Sequence, residues 1–186
     1  LNLSGGEPTT HPHLADLFRS AAAQRVTQTT VSTNGRLLVQ RKALRDLFKQ
    51  YDVIVSLQFD GFNRDAWKTL RGADLLDEKL SLMEMLEAEG IKYSLVSTVA
   101  SGINEKEITR IVDFFFRSQA LSLMFQPAAY TAGAGALKTE TSRLTIADVV
   151  REAEKSPFVR RGDFNPLPCS HYSCFALSYY FAVESG

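Results

Sequence analysis

Ser4-Gly5-Gly6-Glu7-Pro8 decides how the chain is read, because it is the first of several short polar motifs that each close a strand-like run. Two adjacent glycines permit a backbone turn closed to other residues, and a carboxylate follows at once. Such a loop can grip an ammonium group with its carbonyls and Glu7. It can equally be a strand-to-helix turn, in which Gly5 and Gly6 supply geometry while Glu7 and Pro8 favour the first turn of the next helix. Working outward, Ser32-Thr33-Asn34-Gly35 ends the run Thr27 to Ser32, and Ser56-Leu57-Gln58-Phe59-Asp60-Gly61 ends the run Val53 to Phe59. Ser97 to Gly102 ends the run Tyr93 to Val99, and a fourth run spans Leu121 to Gln126.

Between these runs the apolar residues change to helical period. Leu14, Leu17, Phe18, Ala21 and Ala22 share one helix face; Leu76, Leu80, Met83 and Leu86 share a second; Ile108, Ile111, Val112 and Phe115 share a third. Strand alternating with helix predicts parallel strands joined by right-handed crossovers. The markers Ser4, Ser32, Ser56, Ser97 and Gln126 are spaced by 28, 24, 41 and 29 residues, one β-α unit per step without a solenoid's self-similarity. The expected class is α/β: a sheet or barrel of parallel strands with helical crossovers, plus an irregular C-terminal tail. Residues 1–130 form the expected barrel core. Residues 131–186 form a Gly/Ala linker, a short helix around Thr145 to Glu154, and a cysteine-containing extension. In such folds ligands sit at the carboxyl ends of the strands, so the polar motifs should face one mouth.

Composition narrows the function classes. Apolar residues make up 45% of the chain, with 12 Phe, enough to drive a folded core. Twenty-one basic residues balance 21 acidic ones, so no overall field favours nucleic acid or an anionic membrane, and a small-molecule substrate is the better expectation. No apolar run approaches the roughly 20 residues of a membrane span. Two cysteines, Cys169 and Cys174, do not make a disulfide scaffold, which points to a reducing cytoplasm. The opening Leu1 in place of Met suggests that upstream sequence is missing.

The ordered set SGGEP, STNG and SLQFDG resembles the radical S-adenosylmethionine (SAM) superfamily, in which GGEP, TNG-type and SLDG-type motifs occur in this order. The resemblance runs from Leu1 to about Pro127. It implies a partial, TIM-like (β/α) barrel with parallel strands, lacking its first strand and holding SAM across its open mouth, with Gly5, Gly6 and Glu7 at the amino group and Thr33, Asn34 and Ser56 near the methionyl carboxylate or ribose. Arg71, in TLRG, stands where many members carry an arginine that pairs with the carboxylate; a solvated arginine beside a helix is the plain alternative. Gln58-Phe59 interrupts the Ser-Leu-Asp-Gly order, which leaves open whether Ser56, Gln58 or Asp60 meets the ligand. Ser97, Thr98 and Asn104 are ribose-side candidates, or ordinary strand-end and turn residues.

Members of that superfamily hold a [4Fe-4S] cluster on a CxxxCxxC loop, and reductive cleavage of SAM gives a 5′-deoxyadenosyl radical. These 186 residues contain no CxxxCxxC, so its ligands are expected upstream and the fragment alone is expected to be inactive. In Asn165 to Cys174, Cys169 and Cys174 flank His171 within a Pro-braced loop. The cysteines are candidate ligands for a metal or auxiliary Fe-S cluster, or else small buried hydrophobes. PLPCSHYSC resembles the tail of a radical SAM subgroup of pterin-modifying methylases and tetraether lipid synthases, with Tyr172 in place of an expected proline.

His11 and His13 lack a carboxylate or cysteine partner at metal-ligand spacing, Trp67 and Phe114 to Phe116 fit packing, and no P-loop or Rossmann fingerprint occurs. The resemblance therefore implies an enzyme that, when complete, uses an electron donor to make a radical for methylation or carbon-carbon bond formation on a pterin or lipid. A molybdenum-cofactor-type cyclase and a non-catalytic SAM-binding module are the alternatives.

Overall fold

The computed structural model describes residues 1–128, 143–166 and 175–181. Five strands form one sheet in chain order: β1 (Asn2–Leu3), β2 (Thr30–Thr33), β3 (Ile54–Gln58), β4 (Tyr93–Val99) and β5 (Leu123–Pro127). Every neighbouring pair is parallel, and the sheet is open at β1 and β5 among the described residues. The helical connections are α1 (Leu14–Ala23), α2 (Arg36–Gln40), α3 (Lys42–Gln50), α4 (Arg64–Arg71), α5 (Leu76–Glu89) and α6 (Ile108–Arg117), followed by α7 (Ile146–Ala153). This is the expected α/β partial barrel.

Alternation along the strands divides the sheet into two unlike faces. Val31, Val55, Leu57, Leu95 and Tyr93 are buried against Phe18, Phe48, Trp67, Leu82, Leu86 and Ile111 of the helices. A hydrophobic seal of this kind is what makes short parallel strands stable, since burial of one Phe or Leu side chain is worth about 1.5–3 kcal/mol. The opposite face carries Thr30, Ser32, Ser56, Gln58, Ser94, Val96 and Thr98, all only half-buried. Pairing puts Ser32 beside Ser56 and Ser56 beside Ser94, and the Ser122 hydroxyl donates to Ser94 Oγ at 2.9 Å. A row of small hydroxyls thus runs across β2, β3 and β4 to the residue that precedes β5 and leaves room above the sheet.

A second core lies at the β5 end, where Val99, Ile108 and Val112 meet Val149, Ala153 and Val159. The Thr109 hydroxyl donates to the Glu152 carbonyl at 2.8 Å and the Ser156 hydroxyl to Asp113 at 2.6 Å, fixing α7 on α6. Thr145 caps α7 through a reciprocal box with Asp148. In the tail, β6 (Asn165–Pro166) and β7 (Ala176–Leu177) pair antiparallel, so part of the stretch expected to be irregular is a short hairpin.

Candidate functional site

The loop after β1 owes its shape to the paired glycines. Gly5 and Gly6 have φ of +92° and +44°, two consecutive left-handed conformations that side chains with a Cβ rarely adopt. The turn brings Glu7 back over the sheet, where it caps the short 3₁₀ segment Pro8–Thr10. Its Oε1 accepts from the Thr9 amide at 3.2 Å, the Thr9 hydroxyl at 2.5 Å and the Thr33 hydroxyl at 2.6 Å, while Oε2 accepts from the Asn34 amide at 2.8 Å. Burial pushes the Glu7 carboxyl up, but the bonds from Thr33, Thr9 and Asn34 outweigh it and hold the group below the usual carboxylate range. The SGGEP and STNG motifs are therefore one physical unit, joined by an ionised carboxylate.

A second unit forms at the ends of β3 and β4. Asp60 has no side-chain exposure and accepts from Arg71 Nε at 2.7 Å and Nη2 at 3.2 Å, from Gln58 Nε2 at 2.7 Å, and from the Thr98 amide at 2.8 Å. Arg71 Nη2 also donates to Thr98 Oγ1 at 2.8 Å. Burial pushes the Asp60 carboxyl up, against the opposing pull of the Arg71 charge and the Thr98 amide. Asn104, almost wholly buried, ties the two strand ends together by donating to the Asp60 and Thr98 carbonyls at 2.9 and 2.8 Å.

These units face each other across a cleft of about 600 Å³ at the carboxyl ends of the strands. Of the nine candidate cofactor residues, Gly6, Glu7, Thr33, Asn34, Ser56, Gln58, Arg71 and Thr98 line it, and Gly5 lines an adjoining depression with Glu7 and Pro8. Ser56 and Gln58, not the sequestered Asp60, present the SLQFDG motif to the cleft. Ser97 lies on the opposite face of β4 and is fully buried, with no hydrogen-bond partner for its Oγ among the described residues. Asn104 braces the loop from behind. Cys169 and Cys174 lie outside the described residues.

Lys79 is the feature that motif reading passed over. It is fully buried on the core face of α5 and donates to the Asn34 carbonyl. The signal was present in the spacing: residue 79 falls inside the apolar stripe that runs from Leu76 to Met83, and a lysine there needs a partner. The hydroxyl row Ser94 and Ser122 was also missed, because single serines within strand runs carry no local signature.

An open parallel α/β sheet with a polar cleft at the carboxyl ends of its strands defines the class. Within it, this chain belongs to the radical SAM superfamily, whose profile matches residues 1–115. The chain is 25% identical, over its whole length and 42% of the relative's, to 7,8-dihydro-6-hydroxymethylpterin dimethyltransferase of Methanocaldococcus jannaschii. It is 21% identical, over 84% of this chain and 52% of the relative, to a probable GTP 3′,8-cyclase of Metallosphaera sedula. About half or less of each relative's length is thus spanned. Among solved structures, a domain of pyruvate-formate lyase-activating enzyme from Bacteroides vulgatus shares the fold, with TM-score 0.60, 15% identity, and coverage of 83% of this chain and 92% of that one.

Among the described residues no group of three or more His, Cys, Asp or Glu could hold a metal ion, so this part of the chain does not fit the family's [4Fe-4S] cluster. The cleft presents a carboxylate in Glu7, a guanidinium in Arg71 and the polar groups of Ser56, Gln58 and Thr98, complementary in kind to the ammonium, carboxylate and hydroxyls that SAM carries. No helix of the described residues is long and apolar enough to cross a membrane.

Proposed function

We propose that the cleft binds SAM and that the complete enzyme uses it in a radical reaction on a small molecule. The observation that carries this is the convergence of Glu7, Asn34, Ser56, Gln58, Arg71 and Thr98 from four successive β-α units on one cleft. In this reading Glu7 and the Gly5–Gly6 turn receive the amino group. Arg71, fixed by Asp60, faces the carboxylate; Ser56, Gln58 and Thr98 meet the carboxylate or ribose. What SAM supplies when bound with a reduced cluster is a 5′-deoxyadenosyl radical for hydrogen abstraction. The residues of this chain orient the ligand and keep water from it.

For the substrate, the similarity to the pterin dimethyltransferase across all of this chain supports methylation or carbon-carbon bond formation on a pterin-like molecule or a lipid. The match to the probable GTP cyclase favours cyclisation as a second reading. An electron donor, a reducing cytoplasmic setting, cluster cysteines upstream of Leu1 and an auxiliary cluster on Cys169 and Cys174 belong to the same proposal, as does the division into a core at 1–130 and an extension at 131–186.

Calorimetric titration of SAM tests the site. Saturable one-to-one binding is expected, weakened about tenfold or more in Glu7→Ala, in line with the loss of one charge-assisted hydrogen bond. Binding indifferent to both Glu7→Ala and Arg71→Ala would sink the assignment. For the tail, anaerobically reconstituted complete enzyme should hold more iron than one cluster, and Cys169→Ala should lower it.

A further inference from the structure

We infer that Lys79 is a positioning residue for the cleft: through the Asn34–Gly35 peptide, its buried ammonium orients and strengthens the bond that the Thr33 hydroxyl gives the Glu7 carboxylate. The path is continuous. Lys79 Nζ donates to the Asn34 carbonyl; the amide of the same peptide, Gly35 N–H, donates to Thr33 Oγ1 at 3.0 Å; and the Thr33 hydroxyl donates to Glu7 Oε1 at 2.6 Å. Each donor is thereby polarised by the one before it, with a cation at the head and an anion at the end, the arrangement in which hydrogen bonds in a low-dielectric interior reinforce one another.

Packing holds this path in place. Gly35 has φ of +81°, and a Cβ there would lie 2.2 Å from Leu82 Cδ2, so the loop rests directly on α5. Lys79 and Leu82 are one turn apart on that helix and both meet the loop. A buried lysine is costly unless its charge is used, and among the described residues the Asn34 carbonyl is its hydrogen-bond acceptor.

The charged groups around Lys79 are Glu78 on its own helix, Asp60 and Arg71 at the β3 end, and Glu7 across the loop. Glu78 faces Arg36 at 3.5 Å and Asp60 is committed to Arg71, which leaves Glu7 as the carboxylate linked to Lys79 by hydrogen bonds. Burial holds the Lys79 ammonium down to about 8, while Glu78 and Asp60 pull it back up. The relay is therefore loaded at neutral pH and unloads on mild alkalinisation. As the pH rises through 8 the Asn34–Gly35 peptide loses the cation at its head, and the hold of the relay on the Glu7 carboxylate weakens.

This rests on the SAM reading only for the ligand, and the test separates the two. Carboxyl-carbon NMR of Glu7 in the ligand-free chain reads the relay directly. In Lys79→Met the Glu7 titration midpoint should rise, whereas Lys79→Arg should leave it low. Wild type should show a second inflection of the Glu7 signal near pH 8 that both variants lack. SAM titrations of the same chains at pH 7 should show roughly tenfold weaker binding in Lys79→Met and recovery in Lys79→Arg. An unmoved Glu7 midpoint in Lys79→Met, with no inflection in wild type, overturns the inference. Absence of SAM binding together with the expected Glu7 shifts would support the relay and defeat the SAM reading.

Discussion

Asp60 illustrates how one residue can serve a site without reaching it. Its carboxylate is sealed from solvent, yet it fixes the guanidinium of Arg71, whose side chain is 29% exposed along the cleft. Removing the charge in Asp60→Asn leaves Arg71 without its counter-ion. The expected cost is about 1–3 kcal/mol, below the figure for a wholly buried pair because Arg71 can turn to water. Urea unfolding measures that loss, and the SAM affinity should fall with it even though Asp60 lines no part of the cleft. Glu7 behaves differently under acid. Its folded-state midpoint lies below its ordinary value of 4.5, so the stability it contributes is complete above that value and is lost as the pH falls through the folded midpoint. Glu7→Gln should lack this part of the acid-unfolding curve, and a curve coincident with wild type below pH 4.5 would show the carboxylate to be idle.

Among the elements, α4 links fold and site most directly. Asn63 caps it by accepting from the Asp65 and Ala66 amides at 2.9 and 3.4 Å, Trp67 anchors it by donating to the Gly61 carbonyl at 2.8 Å, and Arg71 leaves its last turn for the cleft. Asn63→Ala should cost about 1 kcal/mol of stability, as lost caps do, with a smaller effect on SAM affinity than Arg71→Ala. If chemical denaturation shows no change, the cap is dispensable. This helix, with α2 and α3, was not legible as an element. Each is short, and α4 places only Ala66 and Trp67 in the core, too few apolar residues to repeat a period. The long runs were legible because a buried strand or a 14-residue helix such as α5 repeats its pattern several times. Site residues were legible where glycines and small polar groups cluster at strand ends. Ser97 and Thr98 could not be told apart before the strand's facing was known, since adjacent residues point to opposite faces. Asp60 read as an open choice within its motif, and only its burial against Arg71 resolved its part.

At the scale of the whole molecule, a buried lysine sets ligand binding against stability. Between the folded-state value of about 8 and the ordinary 10.5, the unfolded chain carries a proton on Lys79 that the folded chain has released. The unfolded state then binds more protons, so stability to unfolding should rise with pH across that window and fall back as the pH drops through 8. Tyr93 acts in the opposite sense above pH 10. Burial and its bond to Glu87 raise its phenol, so the stability it contributes is held below the ordinary value and lost as the pH climbs toward the folded midpoint. Urea midpoints at pH 7.5, 8.5 and 9.5 isolate the lysine. Wild type should gain stability across the three, whereas Lys79→Met, with no proton to lose, should start higher and stay level. A charge that costs stability and is kept in the fold is what retention for function predicts; parallel curves for wild type and Lys79→Met would mean instead that the lysine holds its proton in the folded chain throughout this window, so that mild alkalinisation does not unload the relay.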